Sequence, residues 1–225
     1  MSEPGTLYIV ATPIGNLKDI TIRALEVLKQ VDLIVCEEKR IGSTLLKKLS
    51  IPDKELTTIN EHNQKENSHL ITARLKEGAN VALISDCGTP LFADPGSYLI
   101  HLADQAGIKI HPVPGASSLM AALSILDSNL NNFYFAGFLP REKEKRAEEL
   151  RFLKNLNKNT ILMDTPYRMT RLLEEVLKVF GSNSKLTLCT NLTMENEIIY
   201  RGTAAEILTL VSGQKAEFIL VIHQK

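Results

Sequence analysis

The first half of the chain is organised by short apolar runs, each leading into a segment rich in glycine, proline or small polar residues. Leu7-Tyr8-Ile9-Val10-Ala11, Leu33-Ile34-Val35-Cys36, Val81-Ala82-Leu83-Ile84 and Ile108-Lys109-Ile110 are too short for buried helices. They read as strands, mostly covered on both faces. Between the first two, Thr21, Ala24, Leu25 and Leu28 recur at i, i+3, i+4 and i+7, which predicts a helix. A second helix is predicted from about Glu66 to Lys76, stopped by Gly78. Strand–helix alternation of this kind builds a mostly parallel sheet with helices on its faces.

The second half has another rhythm. Phe133-Tyr134-Phe135 and Thr160-Ile161-Leu162-Met163 are strand-like. Met169, Leu172, Leu173, Val176, Leu177 and Phe180 then mark one face of a helix closed by Gly181, with Thr165 as its cap and Pro166 as its first residue. Leu186–Cys189, Ile198–Tyr200 and Phe218–Ile222 follow, with only a short helix at Ala204–Leu210. Strands without long crossovers imply a mixed sheet. The expected fold is therefore α/β in two lobes, residues 1–115 and 116–225, parting near Pro114-Gly115.

Charge restricts the partners. The 225 residues carry 26 basic and 26 acidic side chains, and the balance holds in each half. No broad basic field exists to drive non-specific nucleic-acid binding, so any polynucleotide must be held by local clusters. Cys36, Cys87 and Cys189 are far apart and form neither a disulfide framework nor a zinc site. The first residues lack the basic head and apolar stretch of a signal peptide, and no apolar run approaches the ~18 residues of a membrane span. A soluble, cytoplasmic protein is expected.

Three turns follow predicted strands: Ala11-Thr12-Pro13-Ile14-Gly15-Asn16, Ser85-Asp86-Cys87-Gly88-Thr89-Pro90 and Pro112-Val113-Pro114-Gly115-Ala116-Ser117-Ser118. In a parallel sheet the carboxyl ends of the strands line one edge, where ligands bind. Any one turn alone is ordinary; three at corresponding strand ends point to a small-molecule site. Neither G-x-G-x-x-G nor G-x-x-x-x-G-K-[ST] occurs, so the common phosphate cradles are absent. The turns offer carbonyls, hydroxyls and one carboxylate, Asp86, with no basic residue. That suits an adenosine-like or cationic ligand.

The segment Leu7–Leu17 resembles the opening of the tetrapyrrole-methylase superfamily. Within it, the chain is most similar to the small-subunit ribosomal RNA cytidine 2′-O-methyltransferases. Ser85–Pro90 followed by Ala93-Asp94-Pro95-Gly96 matches that group's S-D-A-G-T-P…D-P-G segment, with Cys87 in place of alanine. Pro114-Gly115 and Gly137-Phe138-Leu139-Pro140 fit as well. The resemblance implies a methyltransferase that takes S-adenosylmethionine into a cleft between two lobes, and a homodimer. Carried across by residue, cofactor contacts fall on Pro13, Ser85, Asp86, Gly88, Thr89, Ser117 and Ser118, and on Met163, Leu192 and Thr193 in the second lobe.

The departures bear on the acceptor. Glu37-Glu38-Lys39-Arg40 stands where the family has E-D-T-R, and Glu61-His62-Asn63 keeps part of an H-[DE]-H-N-E segment. Met163-Asp164-Thr165-Pro166-Tyr167-Arg168 replaces Y-E-x-P-x-R. Cys189-Thr190-Asn191-Leu192-Thr193-Met194 replaces A-R-E-L-T-K, with three charges lost. The ribosomal enzymes also continue beyond the part matching Phe218–Ile222.

A ribose hydroxyl is a weak acid, so transfer to it gains from a base and from a positive charge near the developing alkoxide. Glu37 or His62 is the candidate base and Arg40 the positioning cation. The same Glu37–Arg40 run also fits a solvated helix start. Lys143 and Arg146 are candidate RNA contacts, on a predicted helix whose i,i+4 pairs Glu142–Arg146 and Lys145–Glu149 equally describe an exposed, salt-bridged surface. Cys87 has no neighbouring base in sequence and is expected to pack. The alternatives are methylation of a tetrapyrrole or other small molecule, and a cofactor-binding protein without transferase activity.

Overall fold

The computed structural model describes residues 3–51, 53–92, 94–127 and 132–224. Met1, Ser2 and the motif residue Ala93 lie outside them. The chain forms two units, Met1–Ser117 and Ser118–Lys225.

The first unit contains β1 (Thr6–Val10), α1 (Ile22–Gln30), β2 (Leu33–Cys36), α2 (Lys39–Lys48), β3 (Glu55–Thr58), α3 (Gln64–Lys76), β4 (Val81–Ile84), α4 (Ser97–Gln105) and β5 (Lys109–Val113). The strands form one parallel sheet in the order β3-β2-β4-β1-β5. Alternation along the strands divides the core. Leu33, Val35, Val81 and Leu83 face Ile71, Leu75, Leu99 and Ala103 of α3 and α4. Ile34, Cys36, Ala82 and Ile84 face Ala24, Leu28 and Leu46 of α1 and α2. This two-sided burial is why β2 and β4 are uniformly apolar.

The outer strands differ from that pattern. β5 is an edge strand whose Lys109, His111 and Pro112 are exposed, correcting the expectation of two-sided burial there. An edge tolerates the missing amide of Pro112. β3, the other edge, has no apolar run, and α2 and α4 were not marked by periodicity. Thr21 is the N-cap of α1, its Oγ1 accepting from the Ala24 amide at 3.1 Å, rather than part of its apolar face.

The second unit contains α5 (Ser118–Ser124), β6 (Phe133–Phe138), α6 (Lys143–Leu156), β7 (Asn159–Asp164), α7 (Met169–Phe180), β8 (Lys185–Thr190), β9 (Ile198–Thr203), α8 (Ala204–Val211) and β10 (Phe218–Ile222). Its sheet has the order β6-β7-β10-β8-β9, parallel only between β6 and β7. One face packs on Leu150 and Leu153 of α6, Leu172 and Val176 of α7 and Ile207 of α8. The other packs on Leu119 and Ala122 of α5. The expected cap of α7 is corrected. Thr165 precedes a 3₁₀ turn, Pro166–Arg168, and makes no side-chain cap; its own amide donates to Asp164 Oδ1 at 2.8 Å.

Candidate functional site

Strand order brings the three turns together. β4, β1 and β5 are adjacent and parallel, so their carboxyl ends emerge side by side. Thr12 ties the first turn to the second. Its amide donates to the Gly88 carbonyl at 2.9 Å, its hydroxyl donates to the Ser85 carbonyl at 3.0 Å, and Thr12 Oγ1 accepts from the Gly88 amide at 3.1 Å. Thr89 Oγ1 reaches the third turn, donating to the Ala116 carbonyl at 3.1 Å. Ser85 closes its own turn, Oγ accepting from the Cys87 amide at 3.1 Å.

Gly88 is the crossing point. Its φ of +85° is in the region that favours glycine, and a Cβ there would stand 3.0 Å from Ile14 Cγ2 and 3.6 Å from the Ala116 carbonyl oxygen. One residue thus meets both other turns. Pro13, Ser85, Asp86, Gly88, Thr89 and Ser117 all belong to this region of the first unit. Ser118 opens α5, whereas Met163 lies on β7, and Leu192 and Thr193 follow β8. Met163 and Leu192 both pack on the cluster around Ile161, Cys189 and Ile219.

Strand order also gathers acids. Glu61, Glu37 and Asp86 follow the neighbouring strands β3, β2 and β4. Burial raises the Glu37 carboxyl above its ordinary 4.5, reinforced by the negative charges of Asp86, Asp94, Glu61 and Glu38. Burial likewise raises Asp86, partly opposed by a hydrogen bond from the Glu38 backbone. Asp86 Oδ1 is buried without a hydrogen-bond partner. A carboxylate oxygen left this way is expensive unless a ligand donates to it or brings positive charge. Beside it lies an open groove of about 380 Å³ lined by Leu17, Arg40, Ile41, Thr44, Leu45, Lys48 and Asp86.

Arg40 is exposed and pairs with Glu38 at 3.4 Å. His62 is exposed in the turn before α3, its amide donating to Asn60 Oδ1 at 3.0 Å. Cys87 is exposed; Cys36 and Cys189 are buried thiols pushed up to about 11, chiefly by burial. The acid cluster was missed in sequence because its members are 24 to 49 positions apart in the case of Glu61, Glu37 and Asp86.

The RNA set needs a correction. Lys143 is exposed at the start of α6, but Arg146 is 2% exposed and bridges Asp164 and Glu175. Its guanidinium is occupied inside the protein and cannot meet a phosphate. The sequence pattern suggested a solvated pair with Glu142; the acids that claim Arg146 come from β7 and α7.

The fold is α/β, with three turns meeting at the carboxyl ends of adjacent parallel strands and no glycine-rich phosphate loop in the sequence. Comparison with known proteins gives the family: residues 6–208 match the model for tetrapyrrole (corrin/porphyrin) methylases. The chain belongs to that family and is a methyltransferase. It is 37% identical over 225 residues to the Haemophilus influenzae protein named ribosomal RNA small subunit methyltransferase I, covering 98% of this chain and 79% of that one. It is 35% identical to the Leptospira biflexa protein of the same name, covering 99% and 92%. Among solved structures, a diphthine synthase superposes with a TM-score of 0.77 at 17% identity, covering 98% of this chain and 90% of the other. The uroporphyrin-III-C-methyltransferase of Thermus thermophilus gives 0.64 at 21%, covering 98% and 92%.

Proposed function

We propose that the protein transfers a methyl group from S-adenosylmethionine to a ribose 2′-hydroxyl, that of a cytidine in small-subunit ribosomal RNA. The observation that carries this reading is the meeting of three strand-end turns at Gly88, beside the unpartnered Oδ1 of Asp86. The names of the 35–37% identical relatives supply the acceptor class.

The residues present fit the donor. Asp86 offers an acceptor oxygen and negative charge, and Gly88 leaves room that a Cβ would fill. Pro13, Ser85, Thr89, Ser117 and Ser118, with Met163, Leu192 and Thr193, complete the proposed contacts. When bound, the donor supplies an electrophilic methyl on a sulfonium. The chain must orient the acceptor oxygen and remove its proton. Glu37 is the proposed base: burial, reinforced by the neighbouring acids, holds its proton affinity above that of a free carboxylate, which suits a proton acceptor. Arg40, bordering the groove with Asp86, is the proposed cation for the acceptor's charge. His62 is the second candidate base. A homodimer in the cytoplasm completes the proposal, with analytical ultracentrifugation as its check on assembly.

The loss of charge at Thr190, Asn191 and Met194 favours testing a second acceptor, a tetrapyrrole. Purified protein is incubated with methyl-labelled donor and either small ribosomal subunits from cells lacking the gene or a uroporphyrinogen-like macrocycle. Label at a cytidine 2′-oxygen is the expected result. Label in the macrocycle alone replaces RNA with a small molecule, and donor binding without transfer to either removes the enzymatic reading.

A further inference from the structure

Within the second unit, a groove of about 870 Å³ lies between α6 and α7. Lys143, Arg151 and Lys154 of α6 and Arg171 and Lys178 of α7 line it, against Glu174 and Glu175. Its floor is apolar, formed in part by Ala147, Leu150 and Val179. Both oxygens of Glu175 are taken: one by Arg146 from inside, the other by Arg171 Nε at 3.0 Å. Lys154 is fixed by donating from Nζ to the Val179 carbonyl at 2.7 Å. Lys143, Arg151 and Lys178 are exposed and have no ion pair among the described residues, with only Glu174 opposing them. Buried Arg146 therefore neutralises an acid that would otherwise weaken the groove's positive charge.

We propose that this groove carries the phosphate backbone of the RNA substrate, a proposal that rests on the ribosomal RNA reading above. Lys143 and Lys154 are eleven residues apart on α6, about 16 Å along a helix axis. A stacked strand advances roughly 3.4 Å per phosphate, so the row matches four or five nucleotides. Cations come from both walls, and no aromatic side chain lines the groove for base stacking. The contacts are with phosphates and independent of sequence; selection of the target nucleotide belongs to the first unit. This replaces Arg146 in the RNA-contacting set with Arg151 and Lys178, leaving Lys143 in place.

The test compares the parent protein with Arg151→Gln/Lys178→Gln and with a control change on an exposed face of α3, Lys76→Gln. The probe is a transcript of small-subunit ribosomal RNA, measured by filter binding between about 50 and 200 mM salt, the range where such contacts dominate. Removing two phosphate contacts should lower the log–log salt slope by about 1.5 and weaken binding about tenfold at low salt. The KM for RNA should rise while the KM for S-adenosylmethionine and the kcat stay at the parent values. Unchanged affinity and slope in a double variant, beside a parent that methylates RNA, overturn the groove alone. A parent that neither binds nor methylates RNA overturns both readings. An acidic polypeptide that binds the groove in place of RNA, with RNA unable to compete, also refutes it.

Discussion

Arg146 Nη2 lies 2.8 Å from Asp164 Oδ2, and both side chains are 2% exposed. Arg146 also holds Glu175, while Asp164 Oδ1 accepts the Thr165 amide and faces Arg168 at 3.5 Å. One planar guanidinium thus joins α6, the end of β7 and α7. The value of this arrangement lies in its completeness, because removing one partner strands the others away from water. Arg146→Ala should cost about 3–5 kcal/mol in urea denaturation. Arg146→Lys should recover only part of the loss, since a single ammonium cannot reproduce the fork. A cost below about 1 kcal/mol for the alanine variant would show that the buried pair is not what fixes these elements.

Gly88 offers a separate test of the turn site. Alanine there must keep a φ of +85° and place its Cβ 3.0 Å from Ile14 Cγ2. The backbone term alone is about 1–2 kcal/mol of stability. The larger effect should fall on the ligand, with S-adenosylmethionine affinity reduced at least tenfold in calorimetry. Normal affinity accompanied by lower stability would confine Gly88 to a structural role.

What was legible in the sequence followed burial. Leu33–Cys36 and Val81–Ile84 are apolar at every position because each lies between two helical layers, so both strands could be read directly. The three turns could be read because each ends a strand. The acid cluster could not, since it requires the order β3-β2-β4, which sequence adjacency does not reveal. Of α2, only the solvated helix start at Glu37–Arg40 was legible, because the rest of Lys39–Lys48 is mostly polar. It packs through Gly42, where a Cβ would come within 2.8 Å of Cys36 Sγ, so an absent side chain makes the contact. Arg146 misled for a related reason: its charge run looks solvated until Asp164 and Glu175 fold over it.

His223 predicts an acid-sensitive edge to the second unit. Its Nε2 is 2.9 Å from Thr187 Oγ1, and burial lowers the imidazole below its ordinary 6.5, with Asp127 opposing. The folded state therefore binds fewer protons than the unfolded chain just below that value. Stability is full above pH 6.5 and declines as the pH falls through it, levelling off once the folded imidazole protonates. His223→Gln should flatten this decline in thermal denaturation between pH 8 and pH 5. An equally steep decline in the variant would assign it to other groups.

Glu37 combines a rate prediction with a stability prediction of opposite sign. As the proposed base it must be ionised, and its carboxyl is raised by burial and by four neighbouring acids. The rate should therefore fall as the pH drops through a value above 4.5, with an acid limb displaced upward from a free glutamate. Glu37→Gln should lower kcat by 10²–10⁴, the usual range for a general base, and abolish that limb. The stability argument runs the other way. A carboxyl whose folded value is raised favours the folded state when protonated, and this contribution is lost as the pH rises through the unfolded and then the folded value. At pH 7 the ionised group is a cost that glutamine removes, so the variant should be at least as stable as the parent. Loss of turnover without loss of stability is the result expected of a group kept for chemistry. If Glu37→Gln instead retains the parent pH profile while His62→Gln loses it, the proton goes to His62.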